Sequence, residues 1–575
     1  MHAQYDLIIR KGTIVDGTGK PGWTGDVAVN NGYIAAVGKV EGTGAEEIDA
    51  RDHLVTPGFV DIHTHYDGHV TWTNRLGPSS DHGVTTVVMG NCGVGFAPCR
   101  LEDREQLVKL MEGVEDIPEV VMTAGLPWNW ETFPEFLDSV AGRHFDMDVA
   151  AYLPHAPLRI YVMRERAAAR EPATSEDVAR MRHLARSAID AGALGFSSSR
   201  TLNHKASDGT LTPTYAAAAE ELVGIAKGLK DAGRGVLQII SDFEDLDAEF
   251  AIMRRMAAES GRPLSTTVLQ LPQAPDRWRE ILDRIARASA AGVAIRGQVA
   301  GRPVGVMMGL KLNRNPIMRT AGYAELAHLP FPQRLRALRD PLRRARIIGE
   351  MPGDANATER ALFSNFERIY DFDADGYEPA ADRSIAARAS KAGVAPAAYA
   401  YDLMTADAGE TVLYHPAVNY VGNTTAAIEA MIAHKDTLLG LGDGGAHCGL
   451  ICDASLPTYM LERWSSARAG HLPVEHVIRK LTSEPAGAVG LNDRGVIAPG
   501  YRADLNIIDI ERVAVERPQI VRDLPNGGGR LGQRARGYVA TMVAGEVTYR
   551  EGLASGALPG RLIRGTQNIN VTPMR

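Results

Sequence analysis

Hydrophobic and polar positions fall into two periodicities along the chain. The first 57 residues read as β-structure. Residues 6–16 (DLIIRKGTIVD) alternate in part, and residues 26–37 (DVAVNNGYIAAV) carry an Asn-Asn-Gly turn between apolar runs, a hairpin signal. The C-terminal part repeats this habit at 504–510 and 538–548, short strands broken by glycine. Neither end has enough apolar surface to fold alone, so pairing of 1–57 with 491–575 into one small β-sandwich is expected.

Between the ends, residues 58–490 alternate short apolar runs with amphipathic ones. Eight runs rich in β-branched residues, at 60–65, 84–92, 149–155, 193–199, 235–240, 263–270, 293–300 and 437–444, suit buried parallel strands. Several linkers are helical. Thr174 can cap a helix whose Val178, Met181, Ala185 and Ile189 follow the 3.6-residue period up to Gly192, and 278–291 is similar. Eight βα units predict an α/β fold, a (β/α)₈ TIM-like barrel with its active site at the C-terminal strand ends. Residues 301–414 break the rhythm and are too long for a connecting loop. They read as an insertion over the barrel mouth, with a helix at 332–346 and Arg302-Pro303 at its start.

Composition narrows the class. The 575 residues are 45% hydrophobic and 23% charged, with a formal net charge of −8. Lys and Arg are scattered, so no nucleic-acid surface is expected. Four cysteines at positions 92, 99, 448 and 452 are too few for a disulfide scaffold, and their spacings fit a zinc knuckle poorly. No secretion signal and no apolar run long enough for a bilayer is visible, so a cytoplasmic enzyme without a membrane partner is the expectation.

The chemistry concentrates at the predicted strand ends. In Asp61-Ile-His63-Thr-His65, residues two apart on a strand share a face, so both imidazoles turn to the barrel axis, where they can bind a divalent cation. Asp443, closing the eighth run in LGLGDGGAH, can touch such a metal and take a proton from the attacking water; the alternative is an Asp that caps the Gly-rich turn. Cys92, in Gly90-Asn-Cys-Gly93, reads equally as a thiolate ligand or as a small buried hydrophobe. His155 ends the third run, with Arg159 one helical turn on. Arg200 and His204 follow the fourth, and His447 and Asp453 the eighth. All are placed to meet substrate, Arg being suited to a carboxylate. Trp128 and Trp130 read as packing. Pro525–Arg530 reads as a surface loop, since nothing after it completes a P-loop.

Several motifs in order, PGFVDIHTHYD (57–67), GVTTVVMGNCG (83–93), GALGFSSS (192–199), LGLGDGGAH (439–447) and the tail motifs at 481–505 and 543–552, resemble the amidohydrolase superfamily in its D-aminoacylase (N-acyl-D-amino-acid deacylase) branch. The resemblance spans nearly the whole chain. It implies a hydrolase of non-peptide C–N bonds in which His63, His65, Cys92 and Asp443 hold zinc and Asp443 is also the general base. It also implies two more histidine ligands from strands five and six, yet no histidine occurs between His204 and His328. Gln238, and Val268 or Gln270, stand there instead. One zinc per chain, with no second metal, is therefore the expectation, with Gln270 the nearest match to the family's substrate-carboxylate residue. His155 is the expected oxyanion donor, and Arg159, Arg200, His204, Gln270 and His447 are expected around a small-molecule amide. A cyclic amide or an ester needs the same parts, and a barrel that binds without catalysis is the rival from another class. The resemblance allows a monomer or a small homo-oligomer.

Overall fold

The computed structural model describes residues 3–468 and 470–569. Eight parallel strands form one sheet in sequence order: Phe59–Asp61, Val84–Met89, Asp148–Pro154, Gly195–Arg200, Val236–Ser241, Leu264–Thr267, Ile295–Val299 and Thr437–Leu439. They are called barrel strands one to eight below. The first and last are joined beyond their ends by backbone bonds, Asp443 N–H to His63 O at 3.0 Å and His65 N–H to Gly444 O at 2.8 Å. Val60, Ile62, Val88, Ala150, Tyr152 and Leu438 fill the barrel interior.

The strands are shorter than their apolar runs, because the last residues of each run leave the ladder to build the mouth. Helices cover the outside as the periodicity requires. Ser175–Ala191 starts on a capping box between Thr174 and Asp177 and stops at Gly192, whose φ of 117° suits glycine. The helix expected at 332–346 is two helices, Phe331–Leu338 and Pro341–Glu350. Pro341 lacks the N–H that would continue the first, and Asp340 caps the second.

Both chain ends enter one nine-stranded sheet. Leu54–Pro57 pairs antiparallel with Leu505–Ile508, which joins the N-terminal strands to Tyr538–Val543 and Glu546–Arg550. Their inner faces share one apolar core that includes Leu7, Ile9, Val27, Val29, Leu505, Ile507, Ala540 and Met542. The Asn-Asn-Gly hairpin forms between Trp23–Asn30 and Tyr33–Gly38, with φ of 50° at Asn31 and 78° at Gly32. The inserted region has its own core, including Met308, Leu338, Ile369, Tyr401 and Leu413. It meets the loop after strand eight through Met307 N–H to Leu450 O at 2.7 Å, and the segment just after it meets the loop after strand six through Gln270 N–H to Asn419 Oδ1 at 2.8 Å. No helix among the described residues is long and apolar enough to cross a membrane.

The barrel bottom is plugged by charge. Buried Arg494 donates to Asp148 Oδ2 at 2.8 Å and Thr86 Oγ1 at 2.9 Å, both on barrel strands, and to Asp493 at 2.9 Å. Arg502 adds a contact to Asp148 at 2.8 Å, and Asp504 joins from the end sheet. Arg494→Met strips Asp493 of its cation and leaves Asp148 and Asp504 to share Arg502. The expected cost is about 3–5 kcal/mol, seen as a lower first transition in calorimetry; unchanged melting would contradict the plug.

Candidate active site

Asp61, the last residue of strand one, accepts from its own chain at His63 N–H, 3.0 Å. Its other oxygen lies against Gly442, where an added Cβ would come within 1.9 Å of Asp61 Oδ2. Only glycine lets the strand-eight loop approach so closely. His63, His65 and Asp443 thereby meet at the seam where the barrel closes. From strand two, Cys92 enters on a turn with left-handed backbone at Gly90 (φ 80°), Cys92 (55°) and Gly93 (68°). That turn is held by Gly90 N–H to Asp67 Oδ2 at 3.1 Å and by Asn91 Nδ2 to Val88 O at 2.8 Å.

The side chains converge. Donor atoms of His63, His65 and Cys92, all buried, lie within 4.8 Å of one another. Cys92 Sγ is 3.3 Å from His63 Nε2. Asp443 Oδ1 lies 3.4 Å from His63 Nε2 and 3.7 Å from His65 Nε2, and has no hydrogen-bond partner of its own. A tetrahedral zinc with bonds of about 2.0–2.3 Å sets its ligand atoms about 3.3–3.8 Å apart, which the Cys92–His63, Asp443–His63 and Asp443–His65 separations match. The far ring nitrogens face polar side chains, which turns the Nε2 atoms to the cluster. His63 Nδ1 is 2.7 Å from Gln298 Oε1, which fixes the proton on Nδ1, and His65 Nδ1 faces Glu115 Oε1 at 3.2 Å.

Electrostatics point the same way. Burial pushes Asp443, Asp61 and Asp67 each up to about 7, and Glu115 well above the usual carboxylate range. Burial also raises the Cys92 thiol well above its ordinary value and lowers His63 to about 4, so the imidazole is neutral. Neutral imidazoles among acidic groups held back from ionising form a cage that a divalent cation stabilises.

The profile of the amidohydrolase family matches residues 46–549. The chain belongs to the amidohydrolase family. Within that family its similarity is to the D-aminoacylase branch. It is 33% identical over 298 residues to N-acyl-D-aspartate deacylase of Alcaligenes xylosoxydans xylosoxydans, covering 50% of this chain and 54% of that one. It is 26% identical over 601 residues to an uncharacterised protein of Mycobacterium tuberculosis, covering 96% and 93%. Its fold is that of Bordetella bronchiseptica N-acyl-D-glutamate deacylase, solved with zinc and a phosphonate inhibitor, at a TM-score of 0.64 and 21% identity, covering 97% of this chain and 99% of that one.

Other expected residues separate into two groups. His447 and His204 lie at the site. His447 Nε2 is 4.0 Å from Glu115 Oε2, and His204 Nδ1 is 2.8 Å from Ser199 Oγ. After burial and His63, these two imidazoles are what lowers His65.

His155, Arg159, Arg200 and Gln270 are corrected. Strand three ends at Pro154, and His155 starts a helix, which carries its ring outside the barrel wall. Its Nδ1 contacts Ser198 Oγ at 2.8 Å and its Nε2 contacts Glu221 at 2.9 Å, so neither nitrogen is free for an oxyanion. Arg159 is bound to the same Glu221 at 2.8 Å and to backbone carbonyls. Arg200 is forked onto Glu249 at 2.6 and 2.7 Å. Gln270 ties its loop to Asn419 and Val421. Each is already spent on the protein. On strand six, Val268 points outward into the helical core, and the inward residue near the mouth is Thr267. Trp130 packs as expected, its Nε1 on Phe96 O at 2.9 Å.

Glu115 and Gln298 escaped the sequence reading. Gln298 did leave a signal, the one amide in the strand Ile-Arg-Gly-Gln-Val. Gln298→Leu is expected to weaken zinc binding about 10–100-fold, measured by competition with a chromophoric chelator. Unchanged affinity would mean that the His63 tautomer is set elsewhere.

Proposed function

We propose that this amidohydrolase removes the acyl group from N-acyl amino acids, using one zinc held by His63, His65, Cys92 and Asp443. The observation that carries the reading is the unpartnered Asp443 Oδ1 between the two Nε2 atoms. Bound by these residues, zinc would supply polarisation of the acyl carbonyl and a more acidic water. Asp443 takes the proton of the attacking water and returns it to the departing nitrogen. His63 and His65 stay neutral and fix the geometry, supported by Gln298 and Glu115. His447 and His204 face the substrate from the loops after strands eight and four. The deacylase activity of the relatives favours a D-amino-acid product.

A second reading has its own observation. Arg159 and Arg200 are committed to protein carboxylates, which favours a substrate without a free carboxylate, such as a cyclic amide.

Zinc-loaded enzyme is to be assayed with N-acetylated D- and L-amino acids and with hydantoins and lactams, beside chelated enzyme and Asp443→Asn. Release of free amino acid, lost on chelation and reduced about 10³-fold or more in Asp443→Asn, is the expected result. Ring opening alone moves the reading to cyclic amides. No turnover of either class by metal-loaded protein contradicts the proposal.

A further inference from the structure

Among the described residues, two buried polar groups of the barrel interior remain once the donor cluster and its supports are accounted for. Gln238, on strand five, is fully buried. Its Oε1 accepts from the Cys92 amide at 3.1 Å. Because that amide is a donor, the oxygen end of Gln238 is identified, and Nε2 is the free end. It has no partner. Thr267 ends strand six, 6% exposed, and its Oγ1 is likewise unpartnered.

The direction of Thr267 follows from its neighbours. Ser265, two residues earlier, accepts from Gln298 Nε2 at 2.9 Å inside the barrel, while Leu264 and Val268 belong to the core with Ile281 and Leu282 of the covering helix. Gln238 pairs with Ser265 in the register, so Thr267 stands one layer nearer the mouth than Gln238. Buried donors are nearly always bonded, and these two lie in adjacent strands. Strands five and six face strands one, two and eight across the barrel, the wall that carries His63, His65, Cys92 and Asp443.

We propose that Gln238 Nε2 and Thr267 Oγ1 are the hydrogen-bond donors that receive the substrate's acyl oxygen as it gains negative charge, a role that rests on the amide-hydrolase reading above. Water attacks the acyl carbon from the Asp443 side and gives up a proton to Asp443. The carbonyl π pair moves onto the acyl oxygen, which lies beside the cluster, where Gln238 already meets the Cys92 amide, and accepts from both donors. When the pair returns, the C–N bond breaks and the nitrogen leaves with the proton from Asp443. Both donors are neutral and lie in place before the reaction, the arrangement that makes such stabilisation effective.

The test uses Gln238→Glu, which keeps the acceptor for the Cys92 amide but loses the donor, and Thr267→Val, which removes only a hydroxyl. Metal content, kcat, KM and calorimetric affinity are measured, the last for an N-acyl amino-acid analogue with a methylphosphonate in place of the scissile acyl group. Each variant is expected to keep wild-type zinc, to lose kcat by roughly 10²–10³-fold with KM changed only a few-fold, and to bind the phosphonate weaker by a similar factor. Thr267→Val is also expected to melt no lower than wild type, since the lost hydroxyl is unbonded. Wild-type phosphonate affinity in both variants, with zinc intact, overturns the proposal. Absence of turnover in wild type defeats the hydrolase reading instead, and phosphonate affinity still judges the two donors.

Discussion

Strands one and eight meet through the backbone of the same residues whose side chains form the donor cluster. The Asp443 amide bonds the His63 carbonyl at 3.0 Å, and the His65 amide bonds the Gly444 carbonyl at 2.8 Å. Closing the barrel and assembling the site are therefore one event. The seam needs Gly442, because any side chain there strikes Asp61, and Asp61 in turn holds the His63 amide. A side chain at position 442 would thus disturb the fold and the metal cradle together. The strand-two turn is fastened to the same unit, since Asp67, two residues past His65, anchors the Gly90 amide that leads to Cys92.

Charge is arranged around that seam in two layers. At the bottom, Arg494 and Arg502 neutralise Asp148, Asp493 and Asp504 with cations of the protein itself. At the mouth, buried Asp61, Asp67 and Glu115 and partly buried Asp443 have no equivalent arginine, and desolvation pushes all four upward. The nearby arginines are directed elsewhere, Arg302 onto Asp453 and Arg200 onto Glu249. A stable bottom and an acidic mouth divide the barrel as its architecture does, with structure below and chemistry above.

Much of this was legible in the chain. The spacing of His63 and His65, the Gly-rich run around Asp443 and the eight apolar runs carried strong local signals, because ligand geometry and strand alternation act over a few residues. The pairing of the chain ends was readable because neither half holds a core alone. What failed were positions one residue past a strand. From the sequence His155 reads as the end of strand three, but a strand that turns into a helix at that residue sends its side chain to the other side of the wall. Val268 and Gln270 read as the strand-six positions in the sequence, whereas Thr267 is the inward residue, a change of parity that reverses the facing. Glu115 sits at the end of a helix between strands two and three, with no local motif, and reaches His65 only through the tertiary fold.

The central claim is a single metal bound by two imidazoles, one thiolate and one carboxylate at the barrel seam. X-ray absorption at the zinc edge tests it directly, on wild type and on Cys92→Ser. The account predicts one sulfur scatterer at about 2.3 Å with nitrogen and oxygen scatterers at about 2.0–2.1 Å, the sulfur shell vanishing in the variant. A wild-type zinc site without sulfur, or one unchanged by Cys92→Ser, would contradict it.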